Sequence, residues 1–216
     1  MSGRIERSDE RTGLLIVWCL AALAGAVDAC GFYLLKDLYV SFMSGNTTSM
    51  AAALARGDLP RVGLIIGIIA AFVGGAAFGT IIGIFSGNRR IPVVILTTAT
   101  VLIIPVTAAS WSIPAMTFAM GILNAAIRQA GSVQVTVTYV TGTLARLGHG
   151  LGLLICGRAR DWGWLLQAVP WLGLVSGASL ATVSLIRLGQ ESFLALPVVA
   201  ALIAAGSWMT VPADPP

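Results

Sequence analysis

A single carboxylate, Asp28, lies well inside a long apolar stretch of this chain, three residues after Gly25. An acid at the centre of a membrane-spanning helix costs about 2.5–3.5 kcal/mol or more unless it is paired, protonated or hydrated. Three roles suit it: coupling protonation to binding, ligating a cation, or accepting a hydrogen bond from a solute. The structural alternative is an acid bonded to neighbouring backbone or amide groups. Asn124 stands three residues after Gly121 and repeats the arrangement in the second half of the chain. Each is followed by a polar cluster, first Val40-Ser41-Phe42-Met43-Ser44-Gly45-Asn46-Thr47-Thr48 and then Val137-Thr138-Tyr139-Val140-Thr141-Gly142-Thr143. Gly45 follows Asp28 by 17 residues and Gly142 follows Asn124 by 18, so the halves align with one single-residue gap. Matching hydroxyls, amides and glycines predict one solute site built from both halves. Its candidate residues are Asp28, Ser44, Gly45, Asn46 and Thr47 from the first half. The second half contributes Asn124, Tyr139, Thr141, Gly142, Thr143 and Arg146.

The clusters read as helix breaks. Glycine permits backbone geometry closed to other residues, and Ser, Thr and Asn cap helices that begin just after them. Helices are therefore expected over 51–55 and 144–147. A helix N-terminus presents free N–H groups and a partial positive charge, so two such ends could cradle an anion or a polar neutral molecule. Arg146 could complement an anionic solute or pair with Asp28. Arg128 is expected to face the cytoplasm. His149, the one histidine, lies between Gly148 and Gly150 and reads as a packed or interfacial residue. Cys19, Cys30 and Cys156 are isolated, with neither a disulfide framework nor metal-ligand spacing. The chain has no nucleophile elbow, HExxH, Walker A or dinucleotide fingerprint. Neither an enzyme nor a bound cofactor is expected.

The elements that must position these groups follow from composition. Of 216 residues, 57% are hydrophobic and 10% charged, and the mean hydropathy is +0.90. Soluble domains carry about 25% charged residues, so the balance points to an integral membrane protein in contact with the lipid bilayer. The net charge of +4 reads as arginines in cytoplasmic loops. With no basic stripe interleaved with aromatics, nucleic-acid binding is not expected. Six stretches are long enough to span, near 13–35, 62–86, 91–110, 113–130, 162–186 and 193–212, since a span needs about 20 apolar residues. The motif segments, 37–56 and 131–157, are left as broken, irregular or re-entrant. If they re-enter and the N-terminus is inside, Arg89, Arg90, Arg128, Arg146, Arg158 and Arg160 also fall inside, as the positive-inside rule asks.

The repeat extends further. Gly75-Ala76-Ala77-Phe78-Gly79-Thr80 matches Gly177-Ala178-Ser179-Leu180-Ala181-Thr182, and Pro92 matches Pro197. Three crossings per half would invert the second half relative to the first, a recurrent transporter plan. The expected architecture is an all-α polytopic membrane bundle of about six spanning helices plus two motif segments, arranged as two inverted repeats. Its parts are a mobile cytoplasmic tail (1–12), repeats over 13–112 and 113–212, and a C-terminal tail (213–216). GxxxG spacing at Gly63/Gly67, Gly75/Gly79, Gly148/Gly152 and Gly173/Gly177 suits close helix packing, within the chain or across a homodimer. Tyr39 and most of the tryptophans fall near span ends as interfacial anchors.

Gly25-Ala26-Val27-Asp28-Ala29 with Phe42-Met43-Ser44-Gly45-Asn46-Thr47-Thr48, and Asn124 with Thr138-Tyr139-Val140-Thr141-Gly142-Thr143-Leu144, resemble the YoaK family of small bacterial inner-membrane proteins, a domain of unknown function. The likeness covers nearly the whole chain beyond the tail. Ser44 stands where the family pattern has Thr and keeps the hydroxyl; Leu123 stands where it has Gln and loses an amide. The resemblance implies a multi-pass protein of the bacterial inner membrane in which Asp28, Gly45, Asn46, Thr141 and Gly142 matter, and it implies no substrate. The function expected from the residues is a small secondary transporter or permease for a small polar or anionic solute, proton-coupled through Asp28. The competing expectation is a non-transporting scaffold, chaperone or regulatory subunit.

Overall fold

A computed structural model of the chain describes residues 2–35, 37–126, 140–158 and 161–210, with side chains from Thr12 onward. These residues form nine α-helices and several 3-10 turns, with no strand among them. They are α1 (Ser2–Leu35), α2 (Met43–Ala55), α3 (Leu59–Phe85), α4 (Arg90–Val101), α5 (Ile104–Thr107), α6 (Ser112–Asn124), α7 (Val140–Ile155), α8 (Ala168–Leu188) and α9 (Ala195–Thr210). The architecture is the all-helical membrane bundle that composition predicts. Several boundaries differ from expectation. Within the span expected over 113–130 the helix ends at Asn124, followed by a turn, and in that expected over 162–186 a 3-10 helix precedes the α-helix, which begins at Ala168. The charged stretch expected as a tail, 1–12, joins the first helix from Ser2. The span expected over 91–110 breaks after Val101, because Pro105 in the short α5 has no N–H to give the preceding turn.

Local chemistry sets the other boundaries. Asp58 accepts from the Arg61 N–H at 3.2 Å and Pro60 occupies the first turn, so α3 starts there. α2 and α7 each end two residues before a left-handed glycine, Gly57 (φ 74°) and Gly157 (φ 66°), where a side chain would be strained.

Glycine decides which helices touch. A Cβ on Gly25 or Gly177 would strike the backbone carbonyl of Leu174 or Ala22, so α1 and α8 approach backbone to backbone. Gly173 lies over Trp18 and Gly177 over Ala22; both chains advance together, so the pair is parallel. α3 and α6 form a second such pair. Gly75 lies over Phe118, Gly79 over Ile122, and Gly121 against Phe72. Close approach of this kind supplies van der Waals contact where lipid leaves little hydrophobic gain. By contrast, nothing lies within 4 Å of the Cβ positions at Gly63, Gly67, Gly148 and Gly152.

α4 and α9 pack against one another as antiparallel helices, with Arg89 at the start of α4 meeting Trp208 near the end of α9. The Arg89 guanidinium donates to the Trp208 carbonyl at 2.8 Å and sits 4.9 Å from the ring centroid. The short turns between α3 and α4 and between α8 and α9 then fix the remaining directions. α1, α4 and α8 run one way; α3, α6 and α9 run the other. α1 thus ends on the side where α3 begins, and the segment between them returns to the side it left.

The core joins Leu20, Leu23 and Val27 of α1, Ile95 of α4, Met116 and Met120 of α6 and Leu196 of α9. The outward faces of α3, α8 and α9 carry large apolar side chains, among them Ile66, Val73, Ile84, Leu180, Ile186 and Leu202. That outward apolarity is the lipid-facing surface of a membrane protein. Among the described residues four stretches are long and apolar enough to cross: Thr12–Leu35, Leu59–Phe85, Gly87–Thr107 and Gly163–Thr210. The last holds both α8 and α9, which run in opposite directions.

Candidate functional site

α1 continues for seven residues beyond Asp28 to Leu35, about 10 Å at 1.5 Å per residue. The chain then doubles back, and residues 37–42 descend along α1 until Val40 and Ser41 reach the carboxylate. Asp28 Oδ1 accepts the backbone N–H of Val40 at 3.1 Å and of Ser41 at 2.9 Å. Its Oδ2 accepts the Ser41 hydroxyl. Gly31 makes room for this return, since a Cβ there would enter the Val40 side chain.

A second clamp holds the same loop. The Asn46 side chain is fully buried and brackets Tyr39: Oδ1 accepts the Tyr39 N–H at 3.0 Å and Nδ2 donates to the Tyr39 carbonyl at 2.6 Å. Both backbone groups of a non-helical residue are thereby satisfied in an apolar setting, where leaving either unmet costs about 1–3 kcal/mol. Pinned at Tyr39, Val40 and Ser41, the chain enters α2 at Met43. The expectation that Ser44, Gly45, Asn46 and Thr47 precede a helix is therefore corrected: they form its first turn. The N-cap is Phe42, with no side-chain capping bond. Gly45 serves packing, because a Cβ there would stand 2.5 Å from the Phe42 ring. The Thr47 and Thr48 hydroxyls donate back to the Met43 and Ser44 carbonyls at 2.8 and 3.1 Å. Ser44 is exposed.

In the second half, Thr141, Gly142 and Thr143 likewise lie in the first turn of α7 rather than before it. The Thr143 side chain is buried and donates to the Val140 carbonyl at 2.7 Å. Asn124 ends α6 and donates to the Met120 carbonyl at 2.8 Å. Arg146 reaches Gln167 at 3.5 Å; the described partners of Asp28 are Val40 and Ser41, so pairing with Asp28, one of the two roles open to Arg146, is not seen. Tyr139 and Arg128 lie outside the described residues.

A cavity of about 370 Å³ opens beside Asp28. The first half lines it with Asp28, Phe32, Tyr39, Ser41 and Phe42, and the second with Val140, Thr141, Leu174 and Ala178. Phe42 is the N-cap of α2, and Val140 and Thr141 open α7, so the starts of both motif helices face one space. The rings form a continuous wall. Phe32 and Tyr39 stack with centroids 5.4 Å apart, and Tyr39 meets Phe42 edge-on at 5.6 Å. Of the expected residues, Asp28 and Thr141 line this cavity. Ser44, Gly45, Asn46, Thr47, Asn124, Gly142, Thr143 and Arg146 are not in its lining. Phe32, Ser41 and Phe42 were not among the candidates, and Tyr39 was read as an interfacial anchor. Phe32 carried a signal in the sequence: it follows Asp28 by four residues, hence on the same helix face.

The profile of a protein family described as "Protein of unknown function (DUF1275)" matches residues 16–207. The "UPF0700 transmembrane protein RA0705" of Rhizobium meliloti (strain 1021) is 36% identical over 208 residues, covering 96% of this chain and 91% of that protein. No solved structure gives a significant match.

Proposed function

The chain belongs to the DUF1275 family and is a membrane protein, and on that premise we propose that it is a small permease whose two inverted repeats share one solute site at Asp28. The observation that carries the reading is the cavity lined by both halves. Its lining joins an intramembrane carboxylate to the N-cap of one motif helix and the first turn of the other. Polar groups meeting at a repeat interface are how transporters of this plan hold a solute.

The packing supports the repeat. Exchanging the halves carries α1, α2, α3 and α4 onto α6, α7, α8 and α9. Gly25 against the Leu174 carbonyl then becomes Gly121 against Phe72, and Gly177 against Ala22 becomes Gly75 against Phe118. Each contact lands on its counterpart without a shift in register. The antiparallel α4–α9 pair maps onto itself, as a two-fold axis in the membrane plane demands. Six crossings and two re-entrant segments place Arg89, Arg90 and Arg158 on the side of the N-terminus, and Arg56, Arg61 and Arg187 opposite. With Arg4, Arg7 and Arg11 of the N-terminal stretch added, the positive-inside rule puts the N-terminus in the cytoplasm of a bacterium.

Asp28 is the group through which binding couples to protons. When protonated it becomes a donor on one oxygen and loses acceptor capacity toward Ser41 and the loop. Rocking of the repeats about the glycine crossings would open the cavity to each side in turn. Reconstitution in proteoliposomes tests this reading: solute uptake that survives in Asp28→Asn with unchanged pH dependence overturns the coupling role.

One observation favours a second reading, a non-transporting scaffold. Asn46, Thr47, Thr48 and Thr143 direct their polar groups to nearby backbone, as a purely structural motif would. A proteoliposome screen that finds no solute flux, with a stable protein, supports that reading instead.

A further inference from the structure

We propose that the cavity at Asp28 takes a small organic cation, an amine or quaternary ammonium ion with an apolar body. This deepens the permease reading and rests on it. Among the described residues lining the space, Asp28 is the one with formal charge, and it is negative. Arg146, the candidate for an anionic solute, reaches Gln167 and does not line the cavity. Asp28 is partly exposed. Its Oδ2 accepts the Ser41 hydroxyl alone, whereas a carboxylate oxygen has room for a second donor. An ammonium N–H or an alkylated nitrogen fits beside it.

Around the carboxylate stand Phe32, Tyr39 and Phe42 in unbroken ring contact. Phe32 and Phe42 remain 43% and 42% exposed, so part of each ring stays open beyond its packing contacts. Ring faces attract cations by about 0.5–2 kcal/mol each, more where water is excluded, and they discriminate against anions. The opposite wall, with Gly25, Leu174 and Ala178, is apolar and suits the body of the ligand. The volume of about 370 Å³ lies near the low end of the roughly 300–1,000 Å³ of small-molecule sites. That favours a single-ring amine over a larger drug-like molecule.

The test compares three probes of one size on the purified full chain in detergent, by calorimetric titration: benzyltrimethylammonium, benzyl alcohol and benzoate. The cation is expected to bind, and the alcohol and the carboxylate to bind at least tenfold more weakly. Asp28→Asn removes the charge and should abolish the preference. Phe32→Leu has no hydrogen bond to lose and tests the aromatic wall without disturbing the loop; it should weaken the cation by about 2–30-fold and leave benzyl alcohol unchanged. If benzoate or benzyl alcohol binds as well as the cation, the cation assignment is overturned while the solute site stands. If none binds and the cavity also resists aqueous thiol reagents at Thr141→Cys, both readings fall together.

Discussion

Asp28 receives Ser41 twice, with the backbone N–H on Oδ1 at 2.9 Å and the hydroxyl on Oδ2. A carboxylate inside the first helix is thereby the anchor of a loop that has left that helix and come back. Structural and solute-binding roles meet in one side chain, and substitutions can separate them.

Asp28→Ala leaves the Val40 and Ser41 N–H groups without their acceptor. It should destabilise the protein by about 1–3 kcal/mol for each buried group left unmet. Asp28→Asn keeps one carbonyl oxygen for both N–H groups, and the Ser41 hydroxyl can turn to accept from the new amide. The Asn variant should therefore melt within a few degrees of the parent in detergent, and the Ala variant well below it. Equal melting of the two would mean that the loop does not depend on this anchor.

Asn46 is the second anchor, and its amide is used at both ends. Asn46→Ala removes a donor and an acceptor from a fully buried site and should cost about 2–5 kcal/mol. Asn46→Asp turns a donor into an acceptor against the Tyr39 carbonyl and should be no milder. Thr47→Val, by comparison, loses an exposed bond to its own helix and should change stability by less than about 0.5 kcal/mol. Limited proteolysis and thermal melting would rank the three.

The glycine crossings give a contrast within one residue type. Gly177→Ala and Gly75→Ala each push a methyl into a backbone carbonyl, so the helices must separate, at about 1–3 kcal/mol or more. Gly63→Ala and Gly67→Ala meet nothing within 4 Å and should stabilise slightly, since Ala exceeds Gly in helix propensity by about 0.8–1.0 kcal/mol. A large loss at Gly63 or Gly67 would instead identify a face buried between copies of the chain.

The membrane sidedness is testable by single cysteines in a background lacking Cys19, Cys30 and Cys156. Arg56→Cys and Glu191→Cys, both exposed, should react with an impermeant thiol reagent from the periplasmic side of intact cells. Arg158→Cys should react only after the membrane is opened. Reaction of Arg56→Cys and Arg158→Cys from the same side would contradict the re-entrant path of residues 36–58.

Much of this was legible in the residues, for physical reasons that can be named. Asp28 and Asn124 stand out because an acid or amide in an apolar helix is costly, whatever its partners. Matching spacings in the halves are a property of the sequence alone, and so are spans of helical length. The start of α2 was not legible. Ser, Gly, Asn and Thr are helix-capping residues, so the motif reads as a break. The helix begins before them because Asp28, from another element, supplies acceptors to Val40 and Ser41 while Asn46 turns back to Tyr39. Nor does a GxxxG pattern say which glycines meet a partner. Gly63 and Gly67 look like Gly75 and Gly79 until the path of α6, some forty residues later, is known. The aromatic wall is not legible in the sequence for a similar reason: Phe32, Tyr39 and Phe42 come together only when the loop returns along α1.

A dependence on pH follows from the cation reading. Among the described residues, the titratable side chains lining the cavity are the Asp28 carboxyl and the Tyr39 phenol. Protonating Asp28 removes the attraction for an ammonium ion, so binding of benzyltrimethylammonium should weaken as pH falls, and a bound cation should in turn displace a proton. In Asp28→Asn the slope should vanish. Titrations in two buffers of different ionisation heat would read the proton count directly; no proton release in the parent protein would contradict exchange at this residue.

The most direct measurement is the reactivity of Thr141→Cys in the background without native cysteines, in membranes, toward a small trimethylammonium-bearing thiosulfonate. Thr141 lies in the first turn of α7 and lines the same cavity as Asp28. The account predicts modification from the aqueous phase, slower with an anionic reagent of equal size, slowed again by Asp28→Asn, and blocked by saturating benzyltrimethylammonium. An unreactive Thr141→Cys, beside a fully reactive Arg56→Cys in the same membranes, would mean that no solute reaches Asp28 and would contradict the account.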